Sequence, residues 1–170
     1  MSNNALTVAE NGKLLHYSLA DLTLFHGFGY PGGVAHGYKV MQRALPLLSP
    51  DAPPERREIS IRTAFRGPGA RDAFEMVTRS LTEGRYVVDD ALAQPERGET
   101  LMRYVFVVTY RDRTVSLQIA EGIVRDEFIT LGKKPNRSEA EEARLTVLKQ
   151  DMADRVLALP AQEVYLPFES

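Results

Sequence analysis

The sequence predicts an α+β fold, in which a mixed, largely antiparallel sheet carries helices on one face and forms a single core domain. Apolar and polar residues alternate from Ile59 to Phe65, which is typical of a strand with one buried face. Residues 101–110 and 114–120 have the pattern of a β-hairpin around Arg111-Asp112-Arg113. Several other stretches space their apolar residues by three or four positions, which predicts helices with one buried face.

The N-terminal part of the chain is predicted to be simple. Residues 1–12 are mostly small and polar, and we expect them to be loose and flexible. Residues 13–170 are expected to form the single domain, beginning with a short strand at residues 13–17. Ser18, with Asp21 three positions later, resembles a capping box and predicts a first helix.

A second helix is predicted to begin after Pro31. Its apolar positions, which recur at helical spacing, are Val34, Tyr38, Met41, Leu45 and Leu48. Pro46 is expected to end or kink this helix near Leu45, because proline cannot donate the helical hydrogen bond.

Two further helix starts are predicted from capping patterns. Asp72 followed by Glu75, directly after the irregular loop at residues 66–71, resembles a capping box. Ser138 with Glu141 predicts the start of a long C-terminal helix that Pro160 ends.

Composition excludes several classes of function. The 21 basic and 23 acidic side chains of the 170 residues leave no excess of positive charge, so we expect no binding to nucleic acid. The chain contains no cysteine, which excludes disulfides, thiolate catalysis and metal sites with sulfur ligands. No stretch has the roughly 20 consecutive apolar residues of a membrane span, and no basic N-terminal run is present, so we expect a cytoplasmic protein without a membrane partner.

The glycine-rich stretch at residues 25–39 is the main candidate site. Five glycines, a proline, two of the three histidines and Lys39 lie within it. In one interpretation, the backbone N–H groups of Gly32, Gly33 and Val34 bind an anion at the start of the second helix, and Lys39 with Arg62, Arg66 and Arg71 adds positive charge. In the other, the glycines allow two helices to pack closely. The sequence leaves both open.

The polar side chains around this stretch also have two interpretations each. His26 is either a binding or general-base residue or a histidine bound to a backbone carbonyl, and the same choice applies to His36. Asp72 is either a catalytic carboxylate that faces the glycine loop or a helix N-cap. His26 and His36 do not have the spacing of a metal pair, and the sequence specifies no cofactor.

The chain resembles the FmdE-like family of formylmethanofuran dehydrogenase components. The frame of that family's opening motif is present in Phe25, His26, Gly27, Pro31, Gly32, Gly37 and Lys39. Asp72-Ala73-Phe74-Glu75 is similar to a family helix start, and Pro160-Ala161-Gln162-Glu163-Val164-Tyr165 is similar to the family's C-terminal motif. The resemblance covers nearly the whole chain.

The departures from the family lie at its metal-associated positions. Phe28 and Tyr30 stand where the motif has a histidine and a cysteine, Ser80 stands where another cysteine is frequent, and the 66–71 loop has none. Phenyl, phenol and hydroxyl groups cannot replace thiolate ligands, so the resemblance implies a protein without the family's metal and without its C-terminal zinc finger. It also implies a homodimer with a cleft between the motif loop and the Asp72 loop.

Three hypotheses follow for function. The first is a small-molecule-binding or accessory protein for an anionic or pterin-like one-carbon ligand, with a ligand-binding set of Gly27, Pro31, Gly32, Gly33, His36, Lys39, Arg66 and Arg71. The second is an enzyme in which His26 is the general base, Tyr30 an acid or oxyanion donor, and Asp72 orients the histidine. The third is a dimeric protein with a purely structural or assembly role.

Overall fold

The computed structural model describes residues 4–169. Within them, the strands are β1 (Leu6–Glu10), β2 (Lys13–Tyr17), β3 (Ile59–Thr63), β4 (Tyr86–Val88), β5 (Val105–Tyr110), β6 (Arg113–Ile119) and β7 (Tyr165–Pro167). The α-helices are α1 (Leu19–His26), α2 (Pro31–Leu48), α3 (Pro68–Thr78), α4 (Asp126–Lys133), α5 (Glu139–Leu157) and α6 (Ala161–Val164). Single 3₁₀ turns lie at Arg56–Glu58, Asp90–Leu92 and Pro95–Arg97.

The predicted α+β architecture is confirmed. The main sheet has the strand order β4-β3-β5-β6-β7, in which β3 and β4 are parallel and the other described neighbours are antiparallel. Its inner face carries the core: Ile61 lies opposite Val108 and Phe106 opposite Leu117, and all four are almost fully buried. Helix α2 lies against β5 and β6 and is flanked by α3 and α5.

The N-terminal segment differs from the prediction that residues 1–12 are loose. Residues 1–3 lie outside the described part, but β1 pairs along its whole length with β2. Leu6 and Val8 alternate with more exposed residues and are buried in the core. Asn11 and Gly12 both have positive φ values, 51° and 81°, as a tight two-residue hairpin turn requires.

Helix α2 continues through Pro46 to Leu48. The prediction that Pro46 ends the helix near Leu45 is therefore wrong. The proline removes one backbone donor, but it lies in the last turn, where the loss affects a single bond. The helix is closed by the N–H of Ser49, which donates to the carbonyl of Leu45 at 3.0 Å.

Helix α3 begins at Pro68, more than a full turn before the start that its capping pattern predicts. Its N-cap is Gly67 and its first residue is Pro68, which is favoured at this position because its fixed φ suits the first turn. Asp72 is therefore not an N-cap, and the N-cap interpretation is wrong. Its carboxylate is free for a contact outside its own helix.

The capping boxes at Ser18 and Ser138 are confirmed, with both reciprocal hydrogen bonds present at each. Helix α4 has no counterpart among the predicted helices, and its apolar Phe128 and Ile129 are partly buried against the core. Within residues 4–169 no helix combines the length and apolar character needed to cross a bilayer.

Candidate functional site

The glycines of the glycine-rich stretch at residues 25–39 bring α2 and α3 into close contact. A Cβ atom on Gly33 would lie 3.1 Å from the Cα of Gly69, and one on Gly37 would lie 2.8 Å from the Cβ of Ala73. Real Cβ atoms essentially never lie as close as 2.8 Å to another carbon, so the crossing of the two helices requires glycine at position 37. The helix-packing interpretation of these glycines is thus supported by direct contacts.

The same crossing brings His26 next to Asp72. His26 is the last residue of α1, Asp72 lies in the second turn of α3, and the His26 Nδ1 is 2.7 Å from the Asp72 Oδ2. Because a carboxylate accepts hydrogen bonds, Nδ1 is the ring nitrogen that donates to Asp72. The His26 side chain is only 6% exposed, and its Nε2 is buried with no partner among the described residues.

Tyr30 connects this pair to the rest of the site. Its ring centroid is 5.9 Å from that of His26, and the Nζ of Lys149 lies 4.4 Å from the Tyr30 centroid. This is a cation–π distance, and it ties α5 to the glycine loop. The structure therefore joins His26 to Asp72 by a hydrogen bond and places the Tyr30 ring beside His26, with no hydrogen bond from the Tyr30 hydroxyl among the described residues.

A cavity of about 330 Å³ lies beyond Tyr30, between α2, the β3–α3 loop, α4 and α5. Its apolar and aromatic lining includes the Tyr30 ring and Phe65, Tyr104, Phe128, Ile129, Leu145 and Met152. Gly32 and Gly33 also line it, and their N–H groups have no acceptor among the described residues. The N–H of Val34, in contrast, donates to the carbonyl of Tyr30 at 3.2 Å and is not available to a ligand.

The rim of the cavity is strongly basic. Five cationic side chains line it, Arg66, Arg103, Lys133, Arg137 and Lys149, against the single carboxylate of Glu99. The protein as a whole has a formal charge of −2, so this excess is local. Such a field favours anionic ligands, because the apolar lining weakens solvent screening.

His36 forms part of the cavity floor as a neutral residue. Its Nδ1 lies 2.8 Å from the Tyr165 hydroxyl and its Nε2 3.4 Å from the Met152 sulfur. Burial lowers the pKa of His36 to about 3. The imidazole therefore contributes an aromatic surface and no charge to the cavity at neutral pH.

The predicted ligand-binding residues do not all meet. Gly32, Gly33, His36 and Arg66 line the cavity, whereas Gly27, Pro31, Lys39 and Arg71 do not. Gly27 closes α1 with a φ of 92°, and Pro31 begins α2. Arg71 is exposed, with its Nε 3.3 Å from the Asp72 Oδ1.

Lys39 lies farther along α2, at a second cavity of about 890 Å³. Its neighbours there include Gln42, Arg43 and the loop at residues 49–54. Burial lowers the pKa of Lys39, which is only 7% exposed. About two helical turns separate it from Gly32, so it does not act on the same ligand group.

Several lining residues carry no signal in the sequence. Arg103 and Tyr104 precede β5 in a stretch predicted as strand, and Phe128 belongs to the unpredicted α4. Lys149 lies on the predicted C-terminal helix, but one lysine among many charged residues gives no local pattern. Its position at the cavity depends on the packing of α5 against α2, which the sequence does not show.

Among residues 4–169, no group of three or more histidine, aspartate and glutamate side chains is placed to hold a metal ion. Comparison with protein-family models gave no match, and comparison with curated proteins gave none either. The resemblance to the FmdE-like family therefore stays a prediction.

Proposed function

We propose that this protein is a small-molecule-binding or accessory protein that resembles the FmdE-like components of formylmethanofuran dehydrogenase and binds an anionic or pterin-like one-carbon ligand in the cytoplasm. One observation carries the proposal: the 330 Å³ cavity beside the glycine loop has an aromatic floor and a rim of five cations against one carboxylate. Its volume suits a small ligand, and a few polar groups around an apolar lining are typical of ligand sites.

The position of the cavity supports the same conclusion. It is formed by Gly32 and Gly33 of the motif stretch and by Arg66 of the loop before α3, which are the two segments that the resemblance assigns to a cleft. The metal-associated motif position occupied by Tyr30 now supplies a phenol ring at the cavity wall. We expect ligand binding without the family's metal.

A thermal-shift screen with folates, pterins, nucleotides and small carboxylates tests the proposal. A ligand present at one hundred times its Kd stabilises the folded state by about 2.7 kcal/mol, which raises Tm by roughly 5–10 °C in a protein of this size. Lys149→Ala should reduce the shift, and Lys13→Ala on the distant β1–β2 hairpin should not. Absence of any shift across the screen would refute the proposal.

The contact between His26 and Asp72 favours a second candidate function, an enzyme with His26 as general base. The 2.7 Å distance is the geometry in which a carboxylate orients an imidazole, and Tyr30 is the neighbouring acid or oxyanion donor. Because His26 Nε2 is buried, a substrate reaches it only after the residues that cover it move.

Conversion of a bound ligand separates the two candidates. Each ligand from the thermal-shift screen would be incubated with the protein and followed by NMR. In the enzyme hypothesis, His26→Gln and Asp72→Asn abolish conversion while the thermal shift remains. No conversion of any ligand that binds would leave binding as the function.

A homodimer is also part of the proposal. It is supported by four exposed apolar side chains that lie within seven residues, just before and at the start of the glycine-rich stretch: Leu24, Phe25, Phe28 and Tyr30. An exposed apolar surface of this kind is typical of a protein interface.

A further inference from the structure

Two arginines at the cavity rim converge on one carboxylate. The Nη2 of Arg66 lies 2.6 Å from the Asp90 Oδ2, and the Nη1 of Arg103 lies 3.0 Å from the Asp90 Oδ1. The three residues come from the loop after β3, the 3₁₀ turn at Asp90–Leu92 and the segment before β5. Both arginines line the cavity, whereas Asp90 lies outside it.

These arginines retain most of their donors. A guanidinium has five N–H groups, and among the described residues Asp90 is the only acceptor that either side chain contacts. The hydrogen bonds from Arg66 and Arg103 lower the pKa of Asp90, so it is ionised and cancels one of the two positive charges. The pair with its counter-ion keeps a net charge of +1 at the cavity mouth.

The other rim cations differ from this pair. Arg137 donates to the carbonyls of Leu131, Gly132 and Lys134 and so caps α4. Lys133 pairs with Glu99, its Nζ 2.6 Å from the Glu99 Oε2. Lys149 keeps its ammonium donors, but it is a point charge over the Tyr30 ring and has no planar pair of donors. Arg66 and Arg103 are therefore the rim cations that share one acceptor and present free guanidinium donors beside the cavity.

The floor next to this pair is aromatic and uncharged. The Tyr104 ring centroid lies 4.9 Å from those of Phe65 and His36. Tyr104 and His36 are buried, and Phe65 is partly exposed toward the cavity that it lines. A ligand is therefore offered aromatic rings inside and two guanidinium groups at the mouth.

We propose that the cavity binds a flat aromatic or heteroaromatic ligand with one carboxylate or phosphate, whose ring contacts Phe65 and Tyr104 and whose anionic group is bound by Arg66 and Arg103. Planar guanidinium groups match the oxygens of both anions. Asp90 tunes this site by cancelling part of its charge. The inference rests on the proposed function, because it assigns a ligand class to the same cavity.

Isothermal titration with 2-naphthoate, its neutral isostere 2-naphthamide and inorganic phosphate tests the ligand class. We expect 2-naphthoate to bind about tenfold more tightly than 2-naphthamide, because only the carboxylate forms charge-assisted hydrogen bonds with the arginines. Inorganic phosphate should bind more weakly than 2-naphthoate, because it lacks the ring. The affinity for 2-naphthoate should fall as the salt concentration rises.

Variants then assign the binding to named residues. Arg66→Gln and Arg103→Gln should each weaken 2-naphthoate about tenfold and leave 2-naphthamide unchanged. Asp90→Asn should tighten 2-naphthoate about threefold by removing a nearby negative charge, a gain that misfolding cannot produce. The matched control is Arg111→Gln, which breaks a similar exposed pair with Glu58, 2.8 Å long, outside the cavity lining.

Equal binding of 2-naphthoate and 2-naphthamide, unaffected by Arg103→Gln, would overturn the assignment of the arginines and leave cavity binding intact. No binding of either naphthalene probe would overturn the inferred ligand class. The proposed function would then be decided separately by the thermal-shift screen with its broader set of ligands.

Discussion

At the residue scale, His36 links the cavity floor to the stability of the fold. It is 1% exposed, and burial lowers its pKa to about 3 from 6.5 in the unfolded chain. Between these two values the unfolded chain binds a proton that the folded protein does not. The contribution of His36 to stability is therefore complete above pH 6.5 and is lost progressively as the pH falls toward 3.

We predict that lowering the pH from 7 to 5 costs about 2 kcal/mol of unfolding free energy through His36 alone. Urea denaturation of the wild type and of His36→Gln at both pH values measures the effect. Glutamine keeps a polar group beside the Tyr165 hydroxyl but does not titrate. The difference in stability between the two proteins should shrink by that amount at pH 5, and parallel pH profiles would contradict the prediction.

The candidate residues that the sequence predicts best are two whose side chains come from two different motifs and contact each other. His26 and Asp72 are each the polar side chain beside a glycine-rich loop, and the structure joins them at 2.7 Å. Arg103 and Lys149 could not be predicted in this way. Their position at the cavity depends on how β5 and α5 pack, and no spacing along the chain encodes that packing.

At the element scale, the crossing of α2 and α3 fixes the geometry of the site. A Cβ atom on Gly37 would lie too close to Ala73 and Ala70. The backbone of α3 cannot move away from α2 without moving Asp72 as well. Substitutions at this crossing should therefore affect both stability and the position of the His26–Asp72 pair.

Gly37→Ala is predicted to destabilise the protein by about 1–3 kcal/mol, because the added methyl group meets Ala73 at 2.8 Å. This loss outweighs the helix propensity gained by replacing glycine, which is at most about 1 kcal/mol. Gly132→Ala in α4 is the matched control, since its Cβ would meet nothing within 4 Å and should leave stability unchanged or slightly raised. Equal effects of the two substitutions in thermal unfolding would show that the crossing tolerates a side chain.

The elements that the sequence does not predict correctly have identifiable physical causes. The start of α3 is misplaced because Asp72 and Glu75 have the spacing of a capping box, while Gly67 and Pro68 resemble a loop. Helix α4 is missed because it has only eight residues and its N-cap, Arg125, makes no side-chain cap hydrogen bond, so no capping pattern marks its start. In contrast, β3 and β6 alternate apolar and polar residues, and α5 is long and begins at a capping box, so all three are predicted with small shifts at their ends.

At the scale of the whole molecule, a group of exposed apolar side chains lies on one short segment. Leu24, Phe25, Phe28 and Tyr30 are 77%, 51%, 83% and 46% exposed. We propose that a second copy of the chain covers these four side chains. In a twofold interface each substitution is present in both copies and therefore acts twice. Tyr30 also lines the cavity, so the proposed interface and the ligand site share a residue.

We predict that the protein is a dimer in size-exclusion chromatography with light scattering, and that Phe28→Asp converts it to a monomer. Burying this phenyl ring contributes about 1.5–3 kcal/mol per copy, so losing it twice weakens dimerisation at least about a hundredfold. Val87→Asp, which changes a side chain 47% exposed on the edge strand β4, should leave the dimer intact. A monomeric wild type at all concentrations, or a dimer that persists in Phe28→Asp, would exclude this surface as the interface.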